Sequence, residues 1–310
     1  MPEGPHPSSA SDRLQARART LGVLFVLISA TGFASKAIFV KLCYREGVDS
    51  TTALALRMLF ALPFFLATIL RQGIGSYRIS RHDTAGVIVL GLLGYYLSSL
   101  LDFMGLRYIS AALERLILFL YPTFVVLLSA LLLRQRVTRP VALALVVSYA
   151  GIGLVFAHDL GSGQRDLWRG GLLVLGSTLT YSTYLLGSGR LIDRLGAQRF
   201  TTLVMLVSTA AVLLQFGLTR PLSSLRVPPP ALVYGAAMGL LSTVLPAYLL
   251  AAGIRIGAGR AAMLSAIGPV FTILLGVVFL DEHLAPVQLV GAALVIAGVW
   301  LASPKKRDAA

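Results

Sequence analysis

Ten long apolar stretches constrain what this chain can fold into more than any other feature. Most run for about 20 residues, the length that a helix needs to cross the ~30 Å hydrocarbon core of a bilayer. Backbone groups in lipid must be hydrogen-bonded within the chain, and the stretches lack the alternation of a barrel strand. The sequence therefore predicts an all-α integral membrane protein with ten transmembrane helices, at 21–42, 51–70, 84–105, 108–133, 140–157, 170–189, 201–218, 230–252, 261–280 and 286–302.

The composition supports a membrane environment. Hydrophobic residues make up 56% of the chain and charged residues 13%, whereas soluble proteins average about 25% charged residues. A net charge of +14 would suggest nucleic acid as the partner of a soluble protein, but here seventeen Lys and Arg fall on the side of the N-terminus and seven on the other. Because basic residues accumulate in cytoplasmic loops, we expect both termini in the cytoplasm, no nucleic-acid partner, and a bacterial inner membrane as the location.

The two halves of the chain repeat each other. Residues 22–47 align without gaps on 171–196, pairing Arg45 with Arg194, and a later block pairs Gly151 with Gly298. Each repeat holds five predicted spans, an odd number, so equivalent helices would cross the membrane in opposite directions. The predicted organisation is a disordered cytoplasmic N-terminus (1–20), a first repeat (21–157), an extracytoplasmic linker (158–169), a second repeat (170–302) and a basic cytoplasmic tail (303–310).

Several segments resemble one family. They are ATGFASKAIFVK in the first span, LALRMLFAL around Arg57, GLRYISAALERLILFLYPTFVVLLSALLL in the fourth span, and AGRAAMLSAIGPVFTILLGVVFLDEHLAPVQLVGAALVIAG near the C-terminus. Together the halves resemble the two EamA domains of the drug/metabolite transporter superfamily. The resemblance implies ten spans in an inverted duplication and transport of small metabolites, amino acids, drugs or sugar phosphates. Similar proteins carry an acidic residue after the fourth span of each half, and Glu282 keeps it while Gln135 replaces it.

Five ionisable residues fall inside predicted spans of the first half, and intramembrane charges of this kind are functional candidates because burying each one costs at least about 2.5 kcal/mol. At 1.5 Å per residue, Lys36 lies about 22 Å from the inner end of its span, while Arg57, Glu114 and Arg115 lie about 9 to 10 Å from the outer end. With Asp102 they form one predicted layer of net charge about +1. We expect Lys36, Arg57 and Arg115 to bind an anionic group of a substrate. Glu114 or Asp102 would take up a proton if transport is proton-coupled. The structural alternative is that these side chains reach the outer surface and only tie helices together.

Aromatic side chains in the spans are candidates for an apolar lining of the substrate site, and we select Tyr95, Tyr181, Tyr184 and Tyr248. No P-loop motif is present, so nucleotide hydrolysis by this chain is not expected. The single cysteine, Cys43, and four scattered histidines form no metal-binding spacing, and we expect neither metal nor cofactor.

These features favour a secondary transporter over an enzyme. Inverted repeats with a site between them are typical of secondary transporters, because two similar halves can exchange conformations. We expect export of an amino-acid-like or amphipathic metabolite by alternating access, with a small-molecule substrate and the lipid bilayer as partners, as a monomer or a homodimer. The alternative is a membrane enzyme or scaffold that acts on a lipid or metabolite without moving it.

Overall fold

A computed structural model describes residues 10–73, 79–134, 139–161, 166–253, 267–282 and 285–302 of the protein. Helices occupy nearly all of these residues, and none of them forms a β-strand. The predicted all-helical class is confirmed. The predicted basic tail, 303–310, and Gln135 lie outside the described residues.

The first repeat is built from helices that match its predicted spans. A π-helical turn, Leu92–Leu97, joins two of them into one continuous segment. The helices are α1 Ala10–Arg45, α2 Ser50–Gln72, α3 Arg81–Gly91, α4 Ser98–Gly105, α5 Ala111–Leu118, α6 Tyr121–Leu133 and α7 Arg139–Gly161.

The second repeat follows the same plan. A second π-helical turn, Leu240–Val244, occupies the position equivalent to the first one in the repeat alignment. A short 3₁₀ helix, Leu222–Leu225, follows the second helix of this repeat. The helices are α8 Leu167–Leu195, α9 Ala197–Thr219, α10 Pro229–Gly239, α11 Leu245–Gly253, α12 Gly268–Leu280 and α13 Pro286–Ala302.

Two predictions differ from the described structure in extent. The helix α1 begins at Ala10, so residues 10–20 are helical where disorder is predicted, because Ala, Leu, Gln and Arg in this stretch are strong helix formers. Within the described residues, seven helical segments are long and apolar enough to cross a membrane, while α12 and residues 286–298 of α13 are shorter. The number of ten crossings therefore stays a prediction. The seven segments are Thr20–Arg45, Ser50–Gln72, Arg81–Gly105, Ala111–Leu132, Ala142–Leu160, Ala197–Thr219 and Pro229–Leu250.

A proline lies in the first turn of a helix at equivalent positions of the two repeats. Pro122 lies in the first turn of α6, and its repeat equivalent, Pro269, lies in the first turn of α12. Proline lacks a backbone N–H, so it is tolerated in a first turn but breaks a helix that would otherwise continue. As a result α5 is only eight residues long, and its end falls inside the molecule beside α8 and α12.

Asp49 fixes the start of α2. Its carboxylate accepts hydrogen bonds from the backbone N–H of Thr51 (3.0 Å) and from the hydroxyl of Thr52 (2.6 Å). Arg220, just after α9, pairs with the same carboxylate at 3.3 Å. Burial raises the pKa of Asp49, but the hydrogen bonds from Thr52 and Arg220 outweigh it and hold the pKa below its ordinary value.

The two repeats interlock through small residues and long helices. In the first repeat α1 packs against α10, α11 and α12 of the second, and α4 packs against α8. The last helices of the two repeats, α7 and α13, pack closely along their lengths. A Cβ on Gly151 would lie 2.5 Å from the carbonyl oxygen of Gly291, and one on Gly298 would lie 2.7 Å from that of Ala144. Only glycine permits such an approach of two helix backbones.

Candidate functional site

Lys36 of α1 lies between two buried carboxylates. Its Nζ atom pairs with Asp102 of α4 and lies 3.0 Å from Oε1 of Glu114 on α5. Asp102 is 2% exposed and Glu114 is fully buried. These three residues, the lysine triad, join three helices of the first repeat. When all three are ionised, the triad has one negative charge in excess. Oδ1 of Asp102 and Oε2 of Glu114 have no hydrogen-bond partner among the described residues.

Arg57 of α2 is buried with neutral partners. Its Nε atom donates to the hydroxyl of Thr243 at 2.8 Å, and Nη1 donates to the hydroxyl of Ser99 at 3.1 Å. The guanidinium carbon lies 5.7 Å from the centroid of the Phe103 ring. Thr243 belongs to the second π-helical turn, so Arg57 crosses the boundary between the repeats. Asp102 acts on Arg57 electrostatically but forms no described ion pair with it. The described hydrogen-bond acceptors of the Arg57 guanidinium are therefore uncharged hydroxyl groups.

Arg115 follows Glu114 on α5 but faces a different part of the molecule, as successive helix residues do. Its guanidinium packs against the first residue of α12, since a Cβ on Gly268 would lie 2.6 Å from Nη2. Its Nε atom is buried without a hydrogen-bond partner among the described residues. The phenols of Tyr121 and Tyr181 are close enough to interact with it electrostatically. Arg115 therefore faces an aromatic region, and its Nε–H group has no acceptor there among the described residues.

Four tyrosines form a connected group at the seam between the repeats. Tyr181 lies 5.8 Å from Tyr121 and 5.7 Å from Tyr184, and Tyr184 lies 5.3 Å from Tyr95, measured between ring centroids. Gly94 makes room for this tyrosine cluster, because a Cβ there would overlap the ring of Tyr184. Tyr95, Tyr121 and Tyr181 each keep some exposed surface.

Tyr248 is placed apart from the other selected tyrosines. Its hydroxyl contacts that of Thr68 on α2, and its ring centroid lies 6.4 Å from that of Phe65. It lines a separate cavity of about 640 Å³, together with Arg71 and Gln198. The described structure thus brings three of the four selected tyrosines together and leaves Tyr248 outside the cluster.

Sequence reasoning missed several polar partners of the site. Thr243 and Ser99, which hydrogen-bond Arg57, are hydroxyl residues of a kind that is common in membrane helices. Lys41 lies 3.7 Å from Glu282, and Glu282 also accepts a hydrogen bond from the backbone N–H of Ala111 at 2.9 Å. Five residues correspond to about 140° of turn around a helix, so the spacing of Lys36 and Lys41 did not indicate that both would pair with acidic residues.

Ion pairs join the two repeats at opposite ends of the molecule. Arg194, in the last turn of α8, lies 2.8 Å from the buried carboxylate of Asp83 in α3. Arg45, its repeat equivalent in the last turn of α1, lies 3.5 Å from Asp281 after α12 and donates to the carbonyl of Leu280. Equivalent arginines therefore contact the opposite repeat at both ends.

Comparisons with known proteins identify the family to which the two repeats belong. The model of the EamA-like transporter family matches residues 20–157 and again residues 168–303. The chain belongs to the EamA-like transporter family. This family is part of the drug/metabolite transporter superfamily, as the sequence predicts, and the two EamA matches coincide with the two predicted repeats.

Relatives of this protein align over nearly the whole chain. The uncharacterized transporter YcbK of Bacillus subtilis (strain 168) is 33% identical over 294 residues, which are 91% of this chain and 92% of the relative. An uncharacterized transporter of Archaeoglobus fulgidus is 24% identical over 288 residues, 92% of this chain and 97% of the relative. One crystal structure aligns with a TM-score of 0.61 and 20% identity over 93% of this chain and 97% of that one, which shows the fold alone. Family and relatives point to a multi-pass membrane transporter rather than an enzyme.

Proposed function

We propose that this EamA-like protein is a secondary transporter that exports a zwitterionic, amino-acid-like solute with an apolar side chain. It would cross a bacterial inner membrane ten times, keep both termini in the cytoplasm, and work by alternating access between its repeats. The observation that carries the proposal is the buried lysine triad beside Arg57 at the boundary between the repeats. Buried charge of this kind is costly in a membrane and is typical of a transport site.

The charges of the site match the two ends of a zwitterion. The lysine triad has one negative charge in excess, which suits an ammonium group of the solute. Arg57 and Arg115 each have a positive charge that is not used in a described ion pair, and a guanidinium is suited to a carboxylate because two parallel N–H groups can bind both oxygens. With all five side chains ionised, the site as a whole would carry about +1.

The tyrosine cluster supports an apolar part of the solute. It adjoins Arg115 through Tyr121 and Tyr181 and Arg57 through Tyr95. Small-molecule sites commonly combine an apolar and aromatic lining with a few polar groups that fix orientation. An amino acid with an aliphatic or aromatic side chain has this combination, whereas a sugar phosphate offers no comparable apolar group.

Proton coupling follows from the same excess charge. Either a proton on Glu114 or Asp102, or the ammonium group of the solute, neutralises the triad, so the two compete for one site. Competition of this kind produces exchange, in which a proton enters as the solute leaves. An inward proton gradient would then drive export.

A flux experiment tests this proposal. The purified protein is reconstituted into liposomes that contain a pH-sensitive dye and L-leucine, L-methionine, L-phenylalanine or L-isoleucine, and the liposomes are diluted into amino-acid-free buffer. Export of a solute in exchange for protons acidifies the lumen. Glu114→Gln should abolish acidification, while Glu46→Gln, at the outer end of α1, should retain it. Efflux no faster than from protein-free liposomes for all four probes would contradict transport of this class, and equal acidification by both variants would contradict the role of Glu114.

A further inference from the structure

A second polar cavity lies at the end of the molecule that is predicted to be extracytoplasmic. Its volume is about 480 Å³, within the ordinary range of small-molecule sites. It lies between the end of α1, the segment 106–110 that joins α4 to α5, and the end of α12. Three basic side chains, Lys41, Arg45 and Arg107, line it together with one acid, Glu282.

The positive charge of this outer cavity exceeds its negative charge. Glu282 is already engaged by Lys41 at 3.7 Å and by the backbone N–H of Ala111 at 2.9 Å. Arg45 donates to the carbonyls of Leu280 and Phe279. Arg107 is exposed, and no described residue forms a hydrogen bond or ion pair with its guanidinium. The lining residues therefore have a formal charge of about +2, of which Asp281 beside Arg45 offsets one unit, and Arg107 has its donors available.

The floor of the outer cavity is apolar. Leu106 is 1% exposed, Ile109 is 2% exposed and Leu280 is 5% exposed, and all three border the cavity. Cationic walls beside this apolar floor, to which the partly exposed rings of Tyr44 and Tyr108 add surface, suit an organic anion whose carboxylate faces Arg107 and whose aliphatic part covers those rings. A fully hydrated inorganic ion would gain nothing from such a floor.

We propose that the outer cavity is a binding site for the carboxylate of a small aliphatic acid, with Arg107 and Lys41 as the groups that hold it. The inference deepens the proposed function and rests on it in one respect: the occupant is the carboxylate end of the exported solute. Lys41 is five residues beyond Lys36, about 7.5 Å along α1. The outer cavity would thus be the second binding site that a solute occupies, after it leaves the lysine triad.

The test uses 4-methylpentanoate, which has the carboxylate and the aliphatic part of leucine but no ammonium group. Binding to the full-length, detergent-purified protein at neutral pH is measured by saturation-transfer difference NMR, with the melting temperature of each variant as the check of folding. Arg107→Gln and Lys41→Gln should each weaken binding roughly tenfold, the expected loss for one charge-assisted hydrogen bond. The matched control is Arg226→Gln, an exposed arginine outside the cavity, which should bind like the parent.

One further variant separates this site from the proposed transport site. Arg57→Gln should retain binding of 4-methylpentanoate at the outer cavity, which Arg57 does not line, and should lose only the binding that the transport site contributes. The inference is overturned if the parent does not bind the probe, or if Arg107→Gln and Lys41→Gln bind as tightly as Arg226→Gln. Loss of binding only in Arg57→Gln would also overturn it while leaving the transport site in place. Retained binding in Arg57→Gln together with a negative flux experiment would support the outer site and contradict the proposed transport function.

Discussion

Replacing Lys36 with methionine removes the ammonium group that lies between Asp102 and Glu114 and leaves both carboxylates buried. Removing one partner of a buried ion pair costs about 3 to 5 kcal/mol, because the remaining charge has lost its compensation. That cost corresponds to a decrease of roughly two to three and a half decades in the folding equilibrium constant. Lys36→Met should therefore destabilise the protein strongly at neutral pH, as measured by equilibrium unfolding in mixed micelles of a mild detergent and SDS.

Two variants make this prediction specific. Lys41→Met lies on the same helix and breaks a longer, partly exposed pair with Glu282, with 24% and 17% of the two side chains exposed, and Glu282 keeps its hydrogen bond from the backbone N–H of Ala111, so Lys41→Met should cost less than Lys36→Met. Combining Lys36→Met with Asp102→Asn and Glu114→Gln removes the uncompensated charges and should restore most of the lost stability. Equal destabilisation by Lys36→Met and Lys41→Met, or no recovery in the triple variant, would refute the buried triad as the cause.

Three further predictions concern stability. Gly94→Ala should cost about 1 to 3 kcal/mol because its Cβ would overlap a ring of the tyrosine cluster, whereas Gly153→Ala, with open space around it, should be neutral or stabilising in the same unfolding assay. Gly151→Ala and Gly298→Ala should destabilise by similar amounts, again about 1 to 3 kcal/mol, since each pushes against a helix backbone; a cost no larger than that of Gly153→Ala would contradict the close packing. Asp49→Asn keeps the α2 cap but removes its charge. The depressed pKa of Asp49 gives stability that is present above the ordinary carboxyl value of about 4 and is lost as the pH falls through the folded-state value, so unfolding measured against pH should show a smaller acid-side loss for the variant.

The sequence predicts which charged residues belong to the candidate site better than it predicts which of these residues pair with each other. Hydropathy places Lys36, Asp102 and Glu114 inside spans at similar depth, and the structure joins them because three helices of one repeat converge. Depth cannot show that Arg115 turns away from its neighbour Glu114, since that depends on the packing of α5 against α12. Nor does it show that Arg57 is held by hydroxyl groups, one of them from the other repeat.

Two other differences have separate physical causes. The start of α1 depends on the helix propensity of residues 10–20. The polar composition of these residues is that of a disordered segment, and it gives no sign of this propensity. The position of Tyr248 depends on how α11 packs against α2, and a tyrosine in an apolar run carries no sign of which cavity it will face. The helical class and the duplication depend only on patterns repeated along many residues, and these are read reliably from a sequence.

The contact between α7 and α13 has a consequence for how the protein is assembled. Gly151 approaches Gly291, and Gly298 approaches Ala144; in the repeat alignment Gly298 is the counterpart of Gly151, and Gly291 is the counterpart of Ala144. The same patch on each repeat therefore meets itself, as at the isologous interface of a two-fold homodimer, and the two helices run antiparallel. A pseudo-two-fold axis passes through this contact, so one polypeptide contains the interface of a dimer of repeat units that are covalently joined and cannot separate.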